Sequence, residues 1–177
     1  ATYTVPSSLA TTFPNTSFSA SLPMPANLVV GVGYKANDKL LLAFDLQYVF
    51  WSAYDELSFD FAATSVPDSN NPRNFQNSMA FRLGAEYKVS EKLMARAGFA
   101  YDQTPIPEGY LTPETPGANK INLSCGLSYQ LNEKLSFDAA FLYTKALERE
   151  DGYDFANFYG TYNTQAFIPS FGVNYSF

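Results

Sequence analysis

Arg82, Arg96 and Trp51 are the side chains in this 177-residue sequence best suited to hold a ligand. A guanidinium is planar, permanently charged and carries a fork of N–H donors, so Arg82 and Arg96 are candidate contacts for a carboxylate. Their other role is internal pairing with Glu86, Asp45, Asp102 or Asp138, which would cancel charge and leave no ligand site. Trp51 offers an indole face to an alkyl chain, or an anchor at a membrane interface. A second cluster, Glu148, Glu150, Asp151 and Asp154, lies among Tyr153, Phe155, Phe158 and Tyr159. Its spacing matches no EF-hand loop, so a solvated loop is favoured over a site for calcium or for cations that bridge lipopolysaccharide. Catalysis has little to draw on. Without histidine the chain lacks the usual general base, the commonest zinc ligand and the middle member of a Ser-His-Asp triad. No enzyme activity, cofactor or metal is therefore expected. The single cysteine, Cys125, has no disulfide partner and sits on an apolar face, where it reads as a small hydrophobe. A net charge of -6 argues against a nucleic-acid partner.

The elements that must position these residues follow from a period of two. Leu40, Leu42, Phe44, Leu46, Tyr48 and Phe50 share one strand face, while Leu41, Ala43, Asp45, Gln47, Val49 and Trp51 share the other. The first set is wholly apolar and the second admits polar groups. Met79, Phe81, Leu83, Ala85 and Tyr87 likewise oppose Arg82, Gly84, Glu86 and Lys88, and Phe99 and Tyr101 oppose Arg96 and Gly98. Both arginines thus fall on the polar face of neighbouring strands. The terminus repeats the pattern, with Phe167, Phe171, Val173, Tyr175 and Phe177 on one face. An aromatic last residue resembles the C-terminal sorting signal of bacterial outer-membrane barrels.

Ala36-Asn37-Asp38, Ser90-Glu91 and Asn132-Glu133 read as tight hairpin turns, each followed by Lys and Leu. Long segments rich in Pro, Gly, Asn and acidic residues separate the hairpins, over 52–77, 103–119 and 146–163. Short turns alternating with long loops is the topology of an outer-membrane barrel. The composition agrees: 17% of residues are aromatic, and 16% are charged where soluble domains average about 25%. The fold expected is all-β, an antiparallel transmembrane β-barrel or barrel portion over 1–177, located in the bacterial outer membrane. About eight strands are expected, near 16–23, 27–35, 39–51, 76–89, 92–103, 120–131, 134–145 and 164–177. Residues 57–61 are expected to extend the strand that ends at Trp51. Tyr34, Tyr87, Tyr129 and Tyr175 then form an aromatic belt at one rim, and Phe50, Tyr101 and Tyr143 one at the other.

The tracts Val30-Gly31-Val32-Gly33-Tyr34, Leu46-Gln47-Tyr48-Val49-Phe50-Trp51-Ser52, Leu83-Gly84-Ala85-Glu86-Tyr87 and Arg96-Ala97-Gly98-Phe99-Ala100-Tyr101-Asp102 occur in this order, followed by Thr104-Pro105-Ile106-Pro107. In order and spacing the chain resembles the FadL/TodX (OmpP1) family of transporters for long-chain fatty acids and hydrocarbons. The resemblance implies a fourteen-stranded barrel with an N-terminal hatch, of which this chain would be the C-terminal part. An eight-stranded barrel standing alone would instead have its interior filled by side chains. The implied function is passive outer-membrane transport of hydrophobic compounds such as long-chain fatty acids, with Arg82 and Arg96 on the carboxylate and Trp51 on the chain. Membrane lipids, lipopolysaccharide and a hydrophobic small molecule are the implied partners. The alternative is a structural or docking barrel whose aromatic loop, from Glu148 to Tyr162, binds a surface protein.

Overall fold

The computed structural model describes residues 2–6, 8 and 15–177. Its strands are β1 (Thr2–Tyr3), β2 (Thr16–Ala20), β3 (Asn27–Lys35), β4 (Leu40–Val49), β5 (Glu56–Phe61), β6 (Ser69–Pro72), β7 (Ser78–Lys88), β8 (Leu93–Asp102), β9 (Lys120–Gln130), β10 (Leu135–Ala146), β11 (Arg149–Tyr153), β12 (Phe158–Tyr162) and β13 (Gln165–Tyr175). Seven of them form one antiparallel sheet in the order β13-β10-β9-β8-β7-β4-β3. Each strand lies beside its neighbour along this meander, and those of the wall hold 9–12 residues, the length a tilted strand needs to cross hydrocarbon. Within this chain the sheet is open, bounded by β3 and β13.

The three tight turns share one device. Asn37 Oδ1 accepts the amides of Lys39 and Leu40 at 2.9 and 3.0 Å. Ser90 Oγ accepts those of Lys92 and Leu93 at 3.2 and 3.1 Å, and Asn132 Oδ1 those of Lys134 and Leu135 at 3.0 and 3.1 Å. A short polar side chain thus replaces the backbone acceptors lost where the chain reverses. All three turns lie at one end of the sheet, and the long loops lie at the other.

Alternation decides what each face meets. Val30, Val32, Phe44, Leu83, Phe99, Leu127, Phe141 and Phe171 are all exposed. In water such a surface would be a liability, but against lipid it is the required one. Tyr34, Tyr87, Tyr129 and Tyr175, also exposed, stand near the tight-turn end, where an apolar body and a polar tip suit the head-group boundary.

Two expected strand assignments are corrected. Thr16–Ala20 is a strand, yet it stands outside the wall: it pairs with β5, through Phe18↔Phe61 and Ala20↔Phe59, in a separate sheet ordered β1-β2-β5-β6. Five residues are too few to span hydrocarbon, and Phe18 packs on the rings of Phe59 and Phe61 at 5.7 and 5.8 Å. Its alternation reflects a small loop sheet. Residues 57–61 do not extend β4 either, because β4 stops at Val49 and a 3-10 turn over Trp51–Ala53 redirects the chain before β5.

Candidate ligand-binding site

An open groove of about 830 Å3 runs along the wall, and most of its lining is small or polar, with Ala43, Gly84, Gly98, Ser124, Ser128 and Asp138 among it. Register explains the space. Gly33 pairs with Ala43, Ala43 with Gly84, Gly84 with Gly98, and Gly98 with Ser124, so one row across five strands carries almost no side-chain bulk. A Cβ at Gly98 would stand 2.6 Å from Ser124 Oγ, which shows how closely that row is fitted.

Arg96 lines this groove with its charge answered. Its Nε donates to Glu86 Oε2 at 2.7 Å and its Nη1 to Ser128 Oγ at 2.5 Å. Ser128 donates onward to Asp138, which also accepts from Asn174 Nδ2 at 2.5 Å. Glu86, Arg96, Ser128, Asp138 and Asn174 therefore form a polar belt across β7, β8, β9, β10 and β13. Arg82 differs. It faces Asp45 in register and donates to Gln47 Oε1 at 2.5 Å, and no carboxylate lies within ion-pair distance of it among the described residues. Since Glu86 stands opposite Arg96, the two arginines are separated by four residues of β7, roughly 13 Å.

Trp51 sits higher still, beyond the end of β4. Its ring meets that of Phe75 edge-on at 5.7 Å, and Tyr54 meets the Phe75 ring at 5.0 Å. Phe75, Ile106 and Leu111 are buried there, with Trp51, Tyr54, Tyr110 and Tyr162 packed around them. Trp51 thus belongs to a small core in the loop layer, and the three candidate residues stand at three heights along the wall and mouth.

Two arginines that alternation did not single out organise that layer. Arg149 Nη1 donates to the carbonyls of Ile106 and Gly117, and Nη2 to that of Pro107, all at 3.0 Å. Nη2 also contacts Asp151, which accepts the amides of Gly109 and Gly152 at 2.9 and 2.8 Å. Burial alone would push the Asp151 carboxyl up; the two amides and the Arg149 guanidinium outweigh it and hold the group below the usual carboxylate range. A place two residues apart on one strand was the only sequence signal for this pair. Arg73, buried to 7% exposure, donates to Thr112 Oγ1 at 3.2 Å and Glu114 Oε1 at 3.4 Å, and its segment had no periodicity to mark it. In the acidic cluster Asp151 is a brace and Asp154 accepts from the Tyr159 hydroxyl at 3.0 Å. No group of three potential metal ligands occurs among the described residues.

A lipid-facing meander with long loops at one end and a roomy polar inner face is a portion of a transmembrane barrel. The sequence profile of the outer membrane protein transport protein family (OMPP1/FadL/TodX) matches residues 2–177. The chain belongs to this family. Among its relatives, the 47 kDa outer membrane protein of Pasteurella multocida is 28% identical over 159 residues, which are 88% of this chain and 36% of that protein. The long-chain fatty acid transport protein of Escherichia coli O6:H1 is 25% identical over 141 residues, covering 76% of this chain and 30% of the relative. The crystal structure of a FadL homologue from Pseudomonas aeruginosa superposes with a TM-score of 0.79 at 26% identity, over 91% of this chain and 38% of that one. The chain therefore spans about a third of the length of the OMPP1/FadL/TodX proteins it matches, and an open seven-stranded sheet is what such a portion of an outer-membrane barrel contains.

Proposed function

We propose that this chain supplies part of the wall and mouth of a barrel that takes hydrophobic compounds passively across the outer membrane, long-chain fatty acids among them. Membership of the OMPP1/FadL/TodX family carries the reading. The chain's own residues add an uneven distribution of charge on the inner face. Arg96 is occupied by Glu86 and Ser128, whereas among the described residues the hydrogen-bond partner of Arg82 is the neutral Gln47. A guanidinium without a counter-ion, beside a row of Gly and Ala, fits a carboxylate with an alkyl chain lying along the small residues. Trp51 and the rings around it supply apolar surface at the mouth. No covalent step is involved.

The test is uptake of radiolabelled oleate by cells carrying R82Q in the full-length protein. Uptake falling about tenfold, with normal amounts of the protein in the outer membrane, supports the carboxylate role; a charge-assisted hydrogen bond is worth about that much. Uptake unchanged in R82Q and in the R82Q/R96Q double variant would remove both arginines from the path.

A further inference from the structure

Lys145 stands apart from the other lysines. Lys35, Lys39, Lys88, Lys92 and Lys134 flank the tight turns, and Lys120 faces Asp102 in register. Lys145 instead lies one residue before the end of β10, at the loop end of the wall. The register of β10 on β13 runs without a break from Leu135↔Tyr175 to Lys145↔Gln165, so Lys145 shares the face of Phe137, Phe141 and Tyr143, which meets lipid. It is exposed, and it forms no ion pair among the described residues. A cation on that face is costly unless its ammonium reaches the head groups, which the flexible lysine stem allows. Polar groups stand beside it: the hydroxyl of Tyr143 donates to Gln165 Oε1 at 3.5 Å.

Nearer the midplane the same face is shaped. Tyr143 and Phe141 stand against the ring of Phe167 at 5.0 and 6.2 Å. Beyond these rings lies an open groove of about 560 Å3, with the small Ala95, Cys125 and Ala139 among its lining and Leu127, Phe141 and Phe171 rising from it. Register makes the relief: Ala95 pairs with Leu127, Leu127 with Ala139 and Ala139 with Phe171, so small and large side chains alternate along one row.

Depth decides what fits. Lys145 and Ala139 lie six residues apart on β10, about 20 Å along a strand. At a tilt of about 40° that is about 15 Å of depth, half of a hydrocarbon core about 30 Å thick. The groove therefore lies where an acyl chain ends when its head group is held at Lys145. Long loops lie on the outer side of such barrels, so the leaflet is the outer one, built of lipopolysaccharide, whose lipid A carries phosphate.

We infer that the lipid-facing side of β9, β10 and β13 binds one lipid A of the outer leaflet, with a phosphate on Lys145 Nζ, the sugar beside Tyr143 and Gln165, and an acyl chain running past Phe167 into the groove at Ala139. An ammonium is a compact point charge that phosphate oxygens approach from any side, which suits a head group held at a rim. The site lies on the face opposite Arg82 and does not rest on the uptake reading.

Native mass spectrometry of the full-length protein in a non-ionic detergent, titrated with purified diphosphoryl lipid A, counts the lipids retained. Wild type, K145Q, A139F and K134Q are compared, and dephosphorylated lipid A supplies the same chains without the charge. Lys145 and Ala139 are exposed, so neither substitution unpacks a core. Wild type is expected to hold one lipid A more tightly than any further copy. K145Q should weaken that site about tenfold, the worth of one charge-assisted hydrogen bond. A139F, which puts a ring into the groove, should weaken it too, and K134Q, at the tight-turn end, should bind as wild type does. Equal affinity in wild type and K145Q overturns the site. So does an equal loss in K134Q, which would mark a general attraction between lysine and anionic lipid, or an unchanged A139F, which would remove the acyl path. Dephosphorylated lipid held as tightly as lipid A shows ordinary lipid contact and overturns it as well.

Discussion

The wall and the loop layer of this chain solve opposite problems. In the wall, the buried residues are Ser78, Ala80 and Ala146, and large apolar side chains such as Leu83, Leu127 and Phe171 are exposed because lipid covers them. Stability there comes from ladder hydrogen bonds along β3 to β13, which lipid forces the backbone to make. The loop layer stands in water and must assemble its own core from Phe75, Ile106 and Leu111. It has too few ladders to satisfy its backbone, so Arg149 bonds three carbonyls and Asp151 two amides. Order in the wall is therefore periodic, and order in the loops depends on a few side chains.

The sharpest way to break that contrast is to remove one of those side chains. R149A leaves Asp151, with a side chain 5% exposed, buried without its cation. Loss of one partner from a buried pair costs about 3–5 kcal/mol, so the loop over 103–119 should open while the wall keeps its ladders. Limited proteolysis of the membrane-embedded protein should then cut within that loop and leave β8 and β9 intact. Equal resistance in variant and wild type would mean that the loop core alone holds the layer. Acid provides a milder version in the unaltered protein. The Asp151 carboxyl lies below its ordinary value when folded, so its contribution is complete above the ordinary aspartate value of about 3.9 and fades as pH falls further. Protease sensitivity of the loop should therefore rise only below about pH 4, and a rise near neutrality would implicate another group.

The contrast is sharpened inside the wall by a pair of adjacent residues. Cys125 lies at the centre of β9, exposed on the face it shares with Leu123 and Leu127, whereas Ser124 lies on the opposite face, in the small-residue row with Gly98. C125R should cost about 2–4 kcal/mol, the price of a cation near the bilayer midplane, and S124R should cost under about 1 kcal/mol because its head reaches water. Urea midpoints of the two variants in lipid vesicles give the comparison. Equal losses would show that the two faces are not sorted as lipid and lumen.

How much of this was legible in the sequence follows the same division. Wherever a period of two governs, the reading succeeds: the faces of Phe44 and Asp45, the hairpins at Asn37, Ser90 and Asn132, and the inner position of Arg82 and Arg96 all follow from it. It fails where the chain leaves the ladder. Trp51 continues the alternation of β4 on paper, but β4 ends at Val49, so alternation says nothing about its direction. Phe18 and Ala20 alternate like a wall strand because any two-faced sheet demands it, and pairing with β5 across forty residues is not encoded locally. Arg73 and Arg149 find partners 32 to 43 residues away, contacts with no local signature. The pairing of Arg96 with Glu86 was foreseeable as one option among four carboxylates; register selected it.

The smallest effect is expected where the wall borrows the loops' method. At the tight turns a single side chain takes the place of the ladder, and Asn132 Oδ1 holds the amides of Lys134 and Leu135. The turn is exposed, so water replaces part of what N132A removes, and the loss should be about 1 kcal/mol. The backbone bond from the Leu131 amide to the Leu135 carbonyl, at 2.9 Å, remains, and the flanking β9–β10 ladder already sets the register from Ser136↔Gln130 onward. N37A and S90A should behave alike, because their turns repeat the same two bonds. Three similar small shifts in the urea midpoint would show that a wall strand depends on its ladder even at its ends. A loss above about 3 kcal/mol at any one turn, well beyond the net worth of two exposed hydrogen bonds, would mean that the turn nucleates its hairpin.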